Sequence, residues 1–324
     1  MMISQHDRIS GGFWGALVGD ALGVPVEFTA RDERKRDPVV GMRAFGTHHQ
    51  PAGTWSDDSS LLLCTMESLC AGFDPVDIGS RFIRWLDEGY WTPYGEVFDC
   101  GIATQQAIAR LRRGVDPESA GGAGERDNGN GSLMRILPVA CYFADAPTAT
   151  LLDAAHRVSA VTHRHPRSQM ACGMACLVAQ ALMQGQCIEG AYRSAITEAA
   201  TVYTALPFAA ERTHFVRVLD GQLADVPESD ISGDGYVVHT LEASLWCLLT
   251  TSSFEEAVLK AVNLGDDADT TGCVTGGLAG LAYGVDAIPL PWRECLARAG
   301  DIAASLQRFT EACASPVTVD RQSK

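Results

Sequence analysis

The sequence predicts an all-α protein. Apolar residues recur at helical spacing along the whole chain, whereas alternating, strand-like runs are short and rare. Two helical segments, 11–23 and 270–284, are crowded with glycine and alanine. Because glycine costs roughly 1 kcal/mol per helix position relative to alanine, repeated glycines indicate helices that need a close contact. We therefore expect central, tightly crossed helices.

The predicted helices follow one another along the chain with no internal repeat and no low-complexity linker. Their starts are marked by capping residues, and Pro166 suits a first helical turn. Neither of the two longest loops, 120–132 and 225–235, precedes a self-contained core, so we expect one domain over residues 1–314 and a mobile polar tail at 315–324. The predicted helices are 9–22, 57–71, 75–88, 99–113, 132–145, 149–161, 166–184, 188–203, 207–219, 237–250, 253–263, 269–283 and 292–314.

The overall charge excludes several classes of partner. The formal net charge is −15, and 46% of the residues are hydrophobic. A broad nucleic-acid surface or an anionic-membrane surface needs clustered lysine and arginine, so neither is expected. The N-terminal residues lack an apolar core of signal-peptide length, and we expect a cytoplasmic monomer without a membrane segment.

The eleven cysteines predict buried free thiols. They lie mostly within apolar helical runs and form no CxxC pair. Cys172 and Cys176 are four residues apart but lack a second pair at matching spacing, so a zinc site is not expected. Free thiols in a reducing compartment explain this distribution.

The stretch GTWSDDSS, residues 53–60, sets two adjacent aspartates at the start of a buried helix. Taken alone, Asp57 and Asp58 are typical of a capped first turn, where acids favour the helix dipole. The stretch NLGDDADTTGC, residues 263–273, repeats this chemistry before a second helix. If both helix starts face one site, their carboxylates and hydroxyls form the oxygen-rich set that Mg²⁺ or Mn²⁺ prefers. The predicted metal ligands are Ser56, Asp57, Asp58, Asp267, Asp269 and Thr270.

Three further segments offer groups for a bound substrate. The glycine-rich run at 128–132 is predicted to precede a helix that begins near Leu133, where backbone amides bind phosphate; a flexible turn explains it equally well. His163, just before Pro166, is expected to contact a ligand. Glu27 follows a proline-containing turn, and it is either a surface carboxylate or an acid–base group. The predicted substrate-binding residues are Asn128, Gly129, Asn130, Gly131, Ser132 and His163.

In this order, the motifs GDALGVPVEF, GTWSDDSS, GNGSLMR, THRHPRS and LGDDADTTG resemble those of the ADP-ribosylglycohydrolase family. The resemblance extends from about residue 9 to residue 284. It implies an orthogonal multi-helix bundle with a dinuclear Mg²⁺ or Mn²⁺ cleft. By position, the two acidic motifs match the family's metal ligands, with Ser56 in place of the commoner threonine.

The resemblance also implies an activity, the removal of ADP-ribose from a modified acceptor. It implies that the glycine-rich run holds the diphosphate and that His163 contacts the ADP-ribose. It further implies catalytic roles for Asp58, for Glu27 near the metals and for Asp99 near the scissile linkage. The wording GNGSLMR favours an arginine or other guanidino acceptor, which is a protein or a small molecule.

Other functions are compatible with parts of this pattern. A serine or nucleic-acid-base linkage is an alternative acceptor within the family. A dinuclear metal phosphoesterase uses a similar oxygen-rich set, but it usually adds histidine or further carboxylate ligands. A non-catalytic ADP-ribose-binding relative is expected to have lost ligands, whereas all six positions are filled here.

Overall fold

The structure is a computed structural model that describes residues 3–314. Within that range the chain is all-α and contains no strand, which confirms the predicted fold class; the predicted tail at 315–324 lies outside the described residues. The α-helices are α1 Gln5–Gly23, α2 Arg31–Arg36, α3 Asp57–Leu69, α4 Pro75–Glu88, α5 Ile102–Leu111, α6 Pro117–Ala120, α7 Leu137–Tyr142, α8 Thr148–Ala160, α9 Pro166–Met183, α10 Ile188–Val202, α11 Phe208–Glu211, α12 Val216–Leu219, α13 Val237–Leu249, α14 Phe254–Val262, α15 Ala268–Tyr283, α16 Leu290–Cys295 and α17 Ala299–Cys313. Short 3₁₀ turns lie at Val24–Val26, Gly46–His48, Arg212–Phe215, Leu223–Asp225, Glu228–Asp230 and Val285–Ala287.

Helices α1 and α15 form an antiparallel pair at the centre of the domain, and glycines line their contact. A Cβ built on Gly15 would lie 2.2 Å from the carbonyl oxygen of Gly276, and one on Gly19 would lie 2.0 Å from that of Gly272. Such separations are possible only without side chains, so the two backbones touch directly. This contact confirms the close approach predicted from the glycine-rich segments.

Helix α1 is buried on nearly all sides. Gln5–Val26 is long and apolar enough, by length and composition alone, to cross a membrane, yet 94% of its most apolar 18-residue window is buried inside the fold. A helix that is apolar all round is expected at the core of a large domain. Packing within the domain therefore explains its composition.

The predicted helix at 132–145 is wrong over its first half. Residues 131–135 form a turn, in which the amides of Leu133 and Met134 both donate to the carbonyl oxygen of Asn130, at 2.7 and 3.2 Å. Helix α7 begins only at Leu137, with Pro138 in its first turn. Proline suits a helix start and disfavours helical backbone in the residue before it.

Two other predicted helices are interrupted, and two short ones were missed. The helix predicted at 207–219 consists of α11, a 3₁₀ turn and α12. The one predicted at 292–314 is divided into α16 and α17, because Arg298 between them has a left-handed backbone with φ of 58°. Helices α2 and α6 were not predicted, since six and four residues are too few for a clear apolar period.

The cysteines are all free thiols, as predicted. Six of the eleven are buried, and Cys187 is exposed. The buried thiols act as small apolar side chains in the core.

Candidate functional site

The candidate site lies where the C-terminal end of α1 contacts the N-terminal end of α15. A Cβ on Gly23 would lie 2.2 Å from the Cα of Asp269, so the two backbones meet at this point. Beyond it, the amide of Phe28 donates to the carbonyl oxygen of Asp266 at 2.6 Å, and the amide of Asp266 donates back to Thr29 at 2.8 Å. These bonds hold Glu27 beside the acidic turn that precedes α15.

Asp20, in the last turns of α1, fixes the start of α3. Its carboxylate accepts hydrogen bonds from the amides of Ser56 and Ser59, each at 3.0 Å. Burial raises the pKa of Asp20 to about 6, and these hydrogen bonds oppose the rise. A buried carboxylate on one helix thus caps the N-terminus of another and sets where Asp57 and Asp58 lie.

The two acidic motifs meet at Asp58, so the starts of α3 and α15 face each other. The hydroxyl of Thr270, in the first turn of α15, donates to Asp58 Oδ2 at 3.3 Å. Ser56, the N-cap of α3, donates to the same oxygen at 3.1 Å and accepts from the amide of Asp58 at 3.3 Å. Ser56 therefore caps α3, and the same carboxylate of Asp58 also binds Thr270, which lies 212 positions later in the chain.

Two groups of potential metal ligands share Glu27. Its carboxylate lies with those of Asp267 and Asp269, and also with His48 and Asp99, with ligand atoms within 4.8 Å of one another in each group. Asp57 lies beside the second group, and its Oδ2 accepts from the amide of Gly101 at 3.5 Å. The structure thus places Glu27 and Asp99 next to the predicted metal ligands.

The carboxylates of this cluster are buried with little to balance their charge. Burial raises the pKa of Asp57, Asp58 and Asp269 well above the ordinary value, and neighbouring carboxylates raise it further. Burial also raises the pKa of Glu27 to about 7, although its hydrogen bond to His48 opposes the rise. Among residues 3–314, the only ion pair to any of these four acids is the one from His48 to Glu27.

Within residues 3–314, two buried oxygens in the cluster have no hydrogen-bond partner, Asp58 Oδ1 and Asp269 Oδ2. A buried carboxylate oxygen without a donor is costly unless a cation approaches it. Carboxylates and hydroxyls are the donors that hard divalent cations prefer. The arrangement therefore fits a metal site.

We expect the stabilisation by divalent cations to grow with pH. The raised pKa values of buried acids such as Asp20 and Glu27 mean that their stabilising contribution is present at low pH and is lost as the pH rises through about 6 to 7. Bound cations offset this loss. The melting temperature, measured by circular dichroism with and without saturating MgCl₂ or MnCl₂, should rise by about 5 °C at pH 8. The increase should be smaller at pH 6; an equal or larger increase at pH 6 would contradict this linkage.

The glycine-rich run packs against the cluster through Asn130. Its amide nitrogen Nδ2 donates to Asp267 Oδ2 at 2.8 Å and to Thr240 Oγ1 at 2.9 Å. Asn128 accepts from Ser168 Oγ at 3.0 Å, and its backbone pairs with the start of α13. The run therefore joins the acidic cluster to the elements around it.

The glycine-rich run does not lead directly into a helix, so the predicted helix start at Leu133 is wrong, while contact of the run with phosphate stays a prediction. No helix begins at Leu133, and the backbone amide of Asn130 already donates to the carbonyl oxygen of Gly235 at 3.1 Å. Ser132 has no exposed surface, and its hydroxyl accepts from Ser159 Oγ at 3.0 Å. The Ser132 side chain thus supports the run from behind and does not present its hydroxyl to a substrate.

His163 lies directly behind the same run. Its ring faces Gly131, where a Cβ would come within 2.9 Å of Cε1, and its Nδ1 pairs with Thr162 Oγ1 at 2.8 Å. Burial lowers the pKa of His163 to about 3, so the ring is neutral at physiological pH. His165 caps α9 by accepting from the amide of Arg167 at 3.2 Å.

His48 was not predicted as a site residue, and no role was predicted for Asp20. His48 contacts Glu27 through Nε2 and is the last residue of a 3₁₀ turn. No aspartate lies between residues 38 and 56, so the surrounding sequence resembles neither acidic motif. Its only sequence signal is the pair His48–His49 in a loop, which is too common to indicate a site. Asp20 carried a stronger signal, because an acid inside an otherwise apolar helix requires a partner.

Comparisons with known proteins give a consistent result. The ADP-ribosylglycohydrolase family profile matches residues 1–318. An ADP-ribosylarginine hydrolase, Tri1, from Serratia proteamaculans is 32% identical over 302 residues, which cover 90% of this chain and 75% of the relative. The ADP-ribosyl-[dinitrogen reductase] glycohydrolase of Rhodospirillum rubrum is 32% identical over 295 residues, which cover 89% and 90%. A solved structure described as an ADP-ribosylglycohydrolase-related protein complex superposes with a TM-score of 0.78 at 34% identity, covering 96% of this chain and 99% of that one.

Proposed function

The chain belongs to the ADP-ribosylglycohydrolase family, and on that premise we propose that it hydrolyses the N-glycosidic bond between ADP-ribose and an arginine guanidino group. Two relatives at 32% and 30% identity are named ADP-ribosylarginine hydrolases. The observation that carries the proposal is the position of Glu27, which lies between the acids of α15 and the pair formed by His48 and Asp99. A cationic guanidino group suits the acidic side of this arrangement.

We propose that the site holds two divalent cations, Mg²⁺ or Mn²⁺. The unpartnered oxygens of Asp58 and Asp269 and the hydroxyls beside them support this assignment. When bound, such cations orient a sugar and a water molecule and stabilise developing negative charge. The residues that would hold them are Ser56, Asp57, Asp58, Asp267, Asp269 and Thr270.

The protein groups have distinct parts in the proposed reaction. Hydrolysis adds the oxygen of water to the anomeric carbon and a proton to the departing guanidino nitrogen. Glu27, whose pKa is raised to about 7, is suited to accept a proton from that water as its oxygen bonds to the anomeric carbon. His48 orients the Glu27 carboxylate, and the carboxylates of Asp58 and Asp99 favour the oxocarbenium-like charge of the transition state.

The glycine-rich run is the proposed contact for the diphosphate. Gly129 and Gly131 are half-buried, and a Cβ on either would face the ring of His163, at 3.6 and 2.9 Å, so glycine lets the run lie directly against that ring. The hydrogen bond from Asn130 to Asp267 couples this run to the cluster, so a bound ADP-ribose would be held at both ends. His163 then supports the substrate contact through the run.

We expect the protein to release intact ADP-ribose from ADP-ribosylarginine in the presence of Mg²⁺ or Mn²⁺. Chelation with EDTA should reduce the rate to background, and either cation should restore it. Chromatography of the products separates the alternatives, because a phosphoesterase would release AMP. Faster turnover of serine-linked or base-linked ADP-ribose would reassign the acceptor, and an unchanged rate in EDTA would remove the metal from the mechanism.

A further inference from the structure

Exposed apolar side chains are concentrated beside the acidic cluster. Among residues 3–314, nine large hydrophobic side chains are strongly exposed, and four of them lie in the segments that carry Glu27, His48 and Asp99. Exposed apolar side chains grouped near a functional site indicate an interaction surface more often than a structural role. We name this group the acceptor rim; its members, with exposed fractions, are Phe28 (69%), Phe45 (62%), Tyr94 (59%) and Ile102 (74%).

Three members of the acceptor rim are tied to a group in the site, and Tyr94 lies five residues before Asp99 in the chain. Phe28 follows Glu27 directly, and its ring centroid lies 6.0 Å from that of His48. Phe45 precedes the 3₁₀ turn that ends at His48. Ile102 is the first residue of α5 and follows Gly101, whose amide donates to Asp57.

The fold gains little from these side chains. Phe28 and Phe45 have positive φ values of 61° and 65°, a conformation that is unfavourable for bulky residues, and both rings remain mostly in water. Strained and exposed aromatic rings at the mouth of a site are better explained by contact with a partner than by folding stability.

The charge around the acceptor rim defines the partner. Glu96 is exposed, Asp99 is half-buried, and both line one cavity with Asp57 and Phe98. Carboxylates beside aromatic rings form a complementary surface for an arginine side chain, whose planar cation pairs with acids and stacks on rings. The exposed apolar members offer contact area that a guanidino group alone would not use and that suits the residues flanking a modified arginine.

We propose that the acceptor rim docks a polypeptide carrying the ADP-ribosylated arginine, so that a protein acceptor is preferred over free ADP-ribosylarginine. This inference rests on the proposed function and specifies the substrate of the same site. The rim contacts residues that flank the modified arginine, while Glu96 and Asp99 face the guanidino group. The ADP-ribose itself is held elsewhere, at the glycine-rich run.

The test uses Phe45→Gly and Ile102→Ser, because neither residue adjoins Glu27 and glycine relieves the positive φ at position 45. The matched control is Val216→Ser, which removes an equally exposed apolar side chain on α12. Two substrates are compared: a folded protein modified by an arginine-specific ADP-ribosyltransferase, and free ADP-ribosylarginine. For the double variant, kcat/KM on the protein should fall about tenfold, mostly through KM, as expected for two lost anchor residues.

On free ADP-ribosylarginine, the same double variant should stay within about twofold of the wild type, as should the control on both substrates, because surface changes away from the anchors have small effects. Equal losses on the two substrates would overturn the docking role, since the rim would then act on the ADP-ribose or on the chemistry. Unchanged kcat/KM on the protein would also overturn it. Failure of the proposed function gives a different result, because the wild type would then release ADP-ribose from neither substrate.

Discussion

Replacing Asp269 by asparagine should reduce ADP-ribose release about a thousandfold or more, a loss comparable to the removal of a principal electrostatic group from an active site. The same change should raise the melting temperature of the metal-free protein or leave it unchanged. Asp269 is buried, one of its oxygens has no partner, and its pKa is raised by burial and by Glu27 and Asp58. Asparagine keeps the shape and removes the repelling charge.

The opposite signs of the two effects make this prediction specific. A residue that merely supports the fold would lower activity and stability together when it is replaced. The stability gain is expected to be on the order of 1 kcal/mol, since a neutral group replaces a poorly balanced buried charge. Circular dichroism melting in EDTA measures the stability, and chromatography of released ADP-ribose measures the activity.

Asp266 provides a matched control three residues before Asp269. It is exposed, and its backbone has a positive φ of 56°, which asparagine tolerates well. Asp266→Asn should therefore retain activity and stability. If Asp269→Asn kept most of its activity, or melted several degrees below the wild type in EDTA, the assignment of Asp269 as a metal ligand would be wrong.

The helices that could be predicted are those in which the spacing of apolar residues within the segment itself indicates a helix. Apolar spacing over ten or more residues predicted α4, α9 and α10 to within a residue or two, because burial of one side or of the whole helix leaves a clear pattern. The turn at 131–135 was missed because its backbone is decided by Pro138 and by a hydrogen bond from Asn130 to a residue 105 positions away. The sequence around the turn contains Pro138, but it does not contain the distant residue that pairs with Asn130.

The site was predictable where its chemistry lies at helix starts. Asp57, Asp58 and Asp269 occupy first turns, so local composition identified them, and the shared chemistry of the two motifs indicated one place. Whether they hold metal stays a prediction. His48 and Asp20 could not be assigned, because their roles depend on contacts with Glu27 and with Ser56 that only the tertiary structure brings about.

Arg135 illustrates a role that no local pattern reveals. It is completely buried, it contacts the carbonyl oxygens of Gly131 and Val158, and no carboxylate pairs with it among the described residues. Burial lowers the pKa of Arg135 to about 10, so it remains a cation. Its charge interacts favourably with that of Asp57, and its guanidinium contacts the glycine-rich run at Gly131.

Replacing Gly19 by alanine should destabilise the protein more than any other single methyl addition in α1. The new Cβ would lie 2.0 Å from the carbonyl oxygen and 2.4 Å from the carbonyl carbon of Gly272, and neither atom belongs to a side chain that can turn away. Helices α1 and α15 would have to separate. We expect a loss of about 3 kcal/mol or more in the free energy of unfolding, at the upper end for overpacking, measured by urea denaturation.

Gly300→Ala is the matched control for this change. Gly300 lies in α17, and the space that a methyl group would occupy there has no neighbouring atom within 4 Å, so alanine should stabilise the helix by about 0.5–1 kcal/mol. Equal effects of the two substitutions would show that intrinsic helix propensity, and not contact between the backbones, decides the outcome at Gly19.

The Gly19 contact also bears on function, because the residues next to it carry the site. Asp20 follows Gly19 and caps α3, while Gly272 lies three residues after Asp269 on α15. Any separation of the two helices therefore shifts the acids of α15 away from those of α3. In any Gly19→Ala protein that still folds, the rise in melting temperature caused by Mg²⁺ or Mn²⁺ should shrink along with ADP-ribose release. A variant that lost stability but kept the full cation-induced rise would show that the acidic cluster does not depend on this contact.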